Sequence, residues 1–200
     1  RRAMADVLTR LFRRLSVDAL PFYRQLKSDD DPDVLAAVST TSSDLRFLDV
    51  EMWADDLVEL SKHSLPIVRR NLVPSLRDYF ETFPDDTRKL LPILWQDGDE
   101  LVRTRMRELL VKMSDVSTEQ FAARITDLKN RDCDLAPLWQ LMEARKKGSS
   151  SQWIDWLSGD ADMPKSSQTK QHVSTMEEPD ALPELSEALE TLDQELGFLD

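Results

Sequence analysis

Residues 86–113, DTRKLLPILWQDGDELVRTRMRELLVKM, contain two helical patterns separated by a short turn. Apolar residues recur at helical spacing up to about Gln96, and Asp86 is placed to cap this first helix. Asp97-Gly98-Asp99 has the composition of a turn. Apolar positions recur again over residues 100–113. This stretch therefore predicts a pair of helices joined by a tight turn.

The same pattern recurs with a period of 34 residues. Asp31-Pro32-Asp33-Val34 aligns with Leu65-Pro66-Ile67-Val68 and with Asp99-Glu100-Leu101-Val102. Upstream apolar positions keep the same offset: Tyr23, Leu57 and Leu91, then Leu26, Leu60 and Leu94. A weaker fourth copy places four residues in register: Ile125, Leu128, Leu135 and Ala136. A period of this length is typical of repeat proteins built from stacked supersecondary units.

The second unit predicts helices over residues 52–62 and 66–83. Pro66 suits a first helical turn, where its missing N–H has no partner to lose. Pro74 lies inside the second of these helices and is expected to kink it.

The first unit is less regular. It predicts a helix over residues 20–27 and the start of another over 34–38, which the Ser/Thr-rich residues 39–43 weaken. An N-terminal capping helix is predicted within residues 3–15, where five apolar residues share a face: Met4, Leu8, Leu11, Phe12 and Leu15.

The third unit resembles a HEAT repeat. In that family a turn aspartate and a Val-Arg pair six residues later form a ladder between neighbouring repeats, and Asp97 and Arg103 have this spacing. The second unit keeps Arg69 but has His63 at the aspartate position, so the ladder is partial. Across residues 16–147 the resemblance implies an all-α, right-handed α-solenoid of about 3–4 degenerate helix pairs, in which stacked neighbours build a continuous core.

The scarcity of glycine excludes several function classes. The four glycines are never close together: Gly98, Gly148, Gly159 and Gly197. No loop therefore reads GxGxxG or GxxxxGK[ST], so a dinucleotide or P-loop site is not expected. An all-β fold would need frequent glycine turns and is also disfavoured.

No cofactor, metal or catalytic site is expected. One cysteine and two histidines cannot build a Cys/His zinc site. His63 and His172 lie near no nucleophile motif, and the acidic neighbours of Cys133 are expected to raise its thiol pKa. The single cysteine fits a reducing compartment, so we expect an intracellular protein, cytoplasmic or nuclear, with no small-molecule substrate. There is no apolar run long enough to span a membrane and no secretory leader, and the start at Arg1 suggests a piece of a longer chain.

The net charge of −12 is concentrated at the C-terminal end. Residues 1–147 carry 24 basic and 26 acidic side chains, whereas residues 148–200 carry 2 and 12. The predicted organisation is a repeat body over 1–147, a Trp-rich capping or docking segment over 148–158, a disordered acidic linker over 159–179, and an amphipathic helix over 180–200.

The C-terminal helix is the sharpest candidate for partner binding. Six leucines at 3-4-3-4-3 spacing form one stripe, and Phe198 lies beside its end: Leu182, Leu185, Leu189, Leu192, Leu196 and Leu199. Asp180 is a candidate N-cap, and Gly197 is placed to end the helix. A helix of about 16 residues is marginal alone. It either binds a groove of another protein, presented on the linker, or folds back onto the repeat body.

The tryptophans and arginines each admit two interpretations. Trp53, Trp95 and Trp139 fall near matching parts of their units and are expected in the core. Trp153 and Trp156 either cap the last repeat or form an exposed docking motif. The arginines at the starts of second helices form either repeat-ladder contacts or a groove for an acidic or phosphate-bearing partner: Arg69, Arg70, Arg103, Arg105 and Arg107.

Together these features predict a non-enzymatic scaffold or adaptor, the C-terminal part of a larger HEAT-repeat protein. It would bind other proteins, within a multi-subunit complex, through repeat surfaces and the Leu-rich helix. One alternative is a tail that acts as an intramolecular cap or autoinhibitory segment. Another is a nucleic-acid-binding solenoid that uses the arginine cluster, which is less favoured because the body has no basic excess.

Overall fold

The chain is all-α over residues 1–145 and 150–164, the part that this computed structural model describes, and these residues form no strand. Two 3-10 turns, Ser16–Ala19 and Val73–Ser75, interrupt the α-helices. The helices are α1 (Arg2–Ala5), α2 (Leu8–Leu15), α3 (Leu20–Lys27), α4 (Pro32–Thr40), α5 (Ser42–Leu45), α6 (Val50–Leu60), α7 (Pro66–Leu72), α8 (Leu76–Thr82), α9 (Pro84–Trp95), α10 (Glu100–Val116), α11 (Thr118–Lys129), α12 (Ala136–Ala144) and α13 (Ser150–Ser158).

Side-chain caps and prolines set the starts of the helices. The Asp31 carboxylate accepts from the Asp33 amide at 2.9 Å, and the Asp99 carboxylate accepts from the Val102 amide at 3.1 Å. These aspartates occupy the same repeat position, at the starts of α4 and α10, so each satisfies an N–H group that a helix leaves unpaired. In the intervening unit Pro66 takes the first helical position of α7 instead.

The second helices of successive units pack on one another in chain order. Helix α4 packs against α7, α7 against α10, and α10 against α12. Within units, α3 packs on α4, α6 on α7, and α9 on α10. Helix α11 packs against both α9 and α10, and α13 contacts α12. In the first three units each second helix is thus covered by its partner and by the neighbouring unit, whereas α11 packs mainly on the preceding unit.

The repeat positions identified in the sequence form the core. The two sets of upstream apolar positions are buried in all four units: Tyr23, Leu57, Leu91 and Ile125, then Leu26, Leu60, Leu94 and Leu128. The valine near the start of α4, α7 and α10 is also buried: Val34, Val68 and Val102. The fourth copy departs from the pattern, because Ala136 is exposed and Leu135 is half-buried. Leu138 is buried near the start of α12 instead.

The kink expected at Pro74 is confirmed. The predicted helix over 66–83 is divided into α7 and α8 by the 3-10 turn Val73–Ser75. Proline has no N–H to donate and its ring crowds the preceding turn, so the α-helical ladder cannot pass through this position unchanged.

One predicted helix start and one predicted continuous helix are wrong. Helix α9 begins at Pro84, so Asp86 lies in its first turn and does not cap it. The fixed φ of proline favours this earlier start. The predicted N-terminal helix is two helices, α1 and α2, because Val7 leaves the helical region with φ −107° and ψ 3°. Of the apolar residues predicted to share a face, Met4 and Leu15 are exposed, whereas Leu8 and Phe12 are buried.

Among the described residues, none of the helices combines the length and apolar character needed to cross a membrane.

Candidate functional site

The three ladder residues meet at the turn between α9 and α10. Arg69 on α7 donates from Nε and Nη2 to the two carboxylate oxygens of Asp97, at 2.7 and 2.8 Å. Asp97 is 7% exposed and belongs to the next unit. Arg103 on α10 donates to the backbone carbonyl of Asp97. A two-point Arg–carboxylate contact therefore joins the second unit to the third at a fixed geometry.

A second arginine–aspartate pair, Arg70 and Asp99, lies beside the first. This pair was not predicted from the sequence. Arg70 donates to both carboxylate oxygens of Asp99 at 2.8 and 2.5 Å, while Asp99 also caps α10. The hydrogen bond from Arg70 holds the pKa of Asp99 well below its usual range. Burial acts to raise the pKa of Asp97, but hydrogen bonds from Arg69 and from the Asp99 amide outweigh it and lower that pKa. Both carboxylates are thus held ionised by groups of the neighbouring unit and the turn.

An equivalent contact occurs two repeat lengths earlier in the chain. Arg1 and Asp29 precede Arg69 and Asp97 by two periods each, and they approach to 3.2 Å. Leu35 stands at the intermediate arginine position and cannot pair. There the first and second units are linked by Lys27 of α3, which contacts Asp56 of α6 at 2.6 Å.

Every arginine of the cluster contacts an acceptor within the chain. Besides the pairs above, Arg105 donates to the backbone carbonyl of Arg70 at 2.8 Å. Arg107 lies 3.3 Å from Glu100, which also pairs with Arg103. These contacts favour the ladder interpretation of the cluster over an open basic groove.

The tryptophans divide between core and surface. Trp53 and Trp95 are buried, whereas Trp139 is half-buried. Trp153 on α13 is 6% exposed, and its ring packs edge-on against Phe121 with centroids 4.7 Å apart. Trp156 is half-buried and contacts the Trp153 ring at 5.8 Å. Of the two interpretations of the Trp-rich segment, this packing favours capping for Trp153 and leaves part of Trp156 accessible.

A groove of about 500 Å³ runs between α6 and α9. Three apolar side chains line it, Val58, Leu90 and Ile93, of which Ile93 is 45% exposed. Acidic and basic side chains also line the groove: Asp55, Glu59, Lys62, Asp86 and Lys89. Apolar and charged side chains together suit the two faces of an amphipathic peptide or helix.

Cys133 is buried in the turn after α11. Burial is the main cause that raises the pKa of its thiol, and the charge of Asp132 adds to it. The sequence predicted the direction of this shift from the acidic neighbours and missed the larger effect of burial. The described residues contain no group of three or more His, Cys, Asp or Glu side chains placed to hold a metal ion.

The predicted partner-binding stripe lies outside the described residues. This applies to Leu182, Leu185, Leu189, Leu192, Leu196, Phe198 and Leu199, and to most of the predicted linker. No family model matches the chain, and neither does any curated protein or solved structure with which it was compared.

Proposed function

We propose that this chain is a non-enzymatic scaffold or adaptor, an α-solenoid of HEAT-like helix pairs that works inside the cell within a multi-subunit complex. It binds partner proteins through its repeat surfaces and through the acidic Leu-rich segment over residues 180–200. The observation that carries the proposal is the packing of equivalent second helices in chain order, α4 on α7, α7 on α10 and α10 on α12.

The contacts between units support the solenoid. A solenoid unit contacts only its neighbours, so the same positions should be buried in every copy and the same kind of contact should join each neighbouring pair. The upstream apolar positions are buried in all four copies. Arg1–Asp29 and Arg69–Asp97 repeat one contact at equivalent positions.

Two surfaces support a binding role. The α6–α9 groove presents the exposed Ile93 beside charged side chains on a repeat surface. The leucine stripe over 182–199 is interleaved with acidic residues, which is the pattern of a helix that lies in the groove of another protein. We propose that the tail binds such a groove in a partner protein. The alternative is that the tail acts as an intramolecular cap or autoinhibitory segment, and the experiments below distinguish the two roles.

A nucleic-acid role has less support, because the clustered arginines contact carboxylates and carbonyls of the chain itself.

Changing Leu189 and Leu192 to aspartate together is expected to abolish recovery of the partner. Two charges inside the stripe would have to be desolvated in an apolar groove, at a cost of several kcal/mol. The measurement is affinity purification of the full chain and of this variant, with quantitative identification of what is lost. The control is Thr191→Asp with Gln194→Asp, which adds the same charge off the stripe and is expected to leave recovery unchanged. Equal recovery with the leucine variant would exclude the tail as a ligand.

A shortened chain that ends at Pro164 separates the two roles of the tail. It keeps α13, whose Trp153 is part of the core, so its stability reports on the tail alone. Loss of the partner with unchanged unfolding supports binding to another protein. A large fall in the unfolding midpoint would show that the tail packs on the repeat body instead.

A further inference from the structure

A cavity of about 570 Å³ lies between α9, α11 and α13. Its lining includes three arginines, Arg88, Arg124 and Arg131. Asp127, Asn130 and Trp156 also line it. Ala122 and Ala123 add an apolar portion to its wall. The cavity is separate from the ladder and from the α6–α9 groove, and it goes beyond the function proposed above.

Arg124 is an unusual residue in this cavity, because a guanidinium is rarely so deeply buried. It is only 6% exposed, and its Nε and Nη1 atoms have no hydrogen-bond acceptor among the described residues. The aromatic ring of Phe80 lies 5.9 Å from its guanidinium carbon. Buried polar groups in folded proteins nearly always have a partner, so an uncommitted buried N–H group of this kind calls for an acceptor.

Asp127 neutralises only part of this positive charge. Its carboxylate lies 3.5 Å from Arg124 Nη1 and 3.4 Å from Arg88 Nε, both longer than a good N–H···O hydrogen bond. Asp127 Oδ2 is itself buried without a hydrogen-bond partner among the described residues. Burial lowers the pKa of Arg124 and raises that of Asp127, because neither charged form is well solvated there.

The charge balance of the cavity indicates the chemistry of its ligand. Three guanidinium groups face the carboxylate of Asp127, and Arg88 also lies 3.6 Å from the exposed carboxylate of Asp85, so the lining keeps an excess of positive charge. We propose that the cavity binds the dianion of a phosphate monoester, held by Arg88, Arg124 and Arg131. Arginine presents a planar fork of donors that matches phosphate oxygens. Trp156 and the alanine wall face the organic part of the ligand, which is a phosphorylated side chain of a peptide or a small phosphorylated molecule.

The test is an NMR titration of the full chain that follows the indole N–H signal of Trp156, identified with Trp156→Phe. The probes, at constant ionic strength, are N-acetyl-O-phosphoserine N-methylamide, the matching aspartate derivative and inorganic phosphate. We expect a saturable shift with the phosphoserine probe and binding about tenfold weaker with the aspartate probe, since one charge-assisted hydrogen bond is worth about that factor. Tighter binding of phosphoserine than of inorganic phosphate assigns a ligand whose organic part contacts Trp156 and the alanine wall, as a phosphorylated peptide does. Equal affinity of the two would mean that only the phosphate group is recognised and would contradict the role given to Trp156.

Two variants assign the binding to this cavity. Arg88→Gln and Arg131→Gln alter exposed side chains, so both are expected to fold, and each should weaken binding of the phosphoserine probe about tenfold. Arg13→Gln removes the same charge from an exposed site on α2 and should leave binding unchanged. The proposal is overturned if no probe gives a saturable shift, if the aspartate probe binds as tightly as phosphoserine, or if Arg88→Gln and Arg131→Gln both bind like the unaltered chain.

Discussion

Replacing Trp53 with alanine is expected to destabilise the folded chain by about 3–5 kcal/mol. Trp53 on α6 is 1% exposed. Its ring meets Tyr79 nearly at right angles, with centroids 5.9 Å apart, and lies 6.2 Å from Phe83. Truncation would therefore remove a large buried surface and leave a cavity between α6 and α8. The surrounding aromatic rings cannot easily move to fill it.

Urea unfolding followed by far-UV circular dichroism measures this effect. The control is Phe47→Ala, because Phe47 is also aromatic but 74% exposed, and the change there should stay within about 0.5 kcal/mol. If Trp53→Ala lost no more stability than Phe47→Ala, the packing of α6 against α8 described above would be wrong.

Changing Asp97 to alanine is expected to cost about 3 kcal/mol, because it breaks a largely buried ion pair and leaves one partner behind. Arg69 would keep a mostly buried guanidinium without its carboxylate. The Asp99 amide would also lose the Asp97 oxygen that accepts from it at 2.8 Å. The effect reaches across two units, since Arg69 belongs to α7 and Asp97 to the turn before α10.

A double-mutant cycle isolates the contact between the units. Arg69→Met and Asp97→Ala together should cost less than the sum of the two single changes, with a coupling energy of about 1–3 kcal/mol. The matched control is the exposed pair of Arg77 and Glu81, which lie 3.6 Å apart on α8. Their coupling energy should be below about 0.5 kcal/mol. Equal coupling in the two cycles would mean that the contact between the units adds no more than a surface pair.

The repeat register could be predicted from sequence because it depends on a periodic apolar pattern. Leu57, Leu91 and Ile125 share one offset, and all three are buried in the core. The break at Pro74 was predictable for a similarly local reason, the missing N–H of proline.

Other features depend on contacts that no local pattern records. Spacing pointed to Asp97 and Arg103 as ladder residues, but the carboxylate of Asp97 is taken by Arg69, and Arg103 reaches only its backbone carbonyl. The division of the N-terminal helix at Val7 has no proline or glycine to mark it. The arginine cavity was missed because Arg88 and Arg124 lie on different helices, brought together only by the packing of α9 against α11.

Deleting residues 66–99 tests most directly whether the body is a stack of equivalent units. The deletion removes one full period, joins Leu65 to Glu100 in register, and takes out both partners of the Arg69–Asp97 and Arg70–Asp99 pairs. If each unit contacts only its neighbours, the shortened chain should keep its helicity per residue and a cooperative unfolding transition at lower stability. Deleting residues 66–92 shifts the register and should abolish that transition. Loss of cooperative unfolding in the in-register deletion as well would contradict the account.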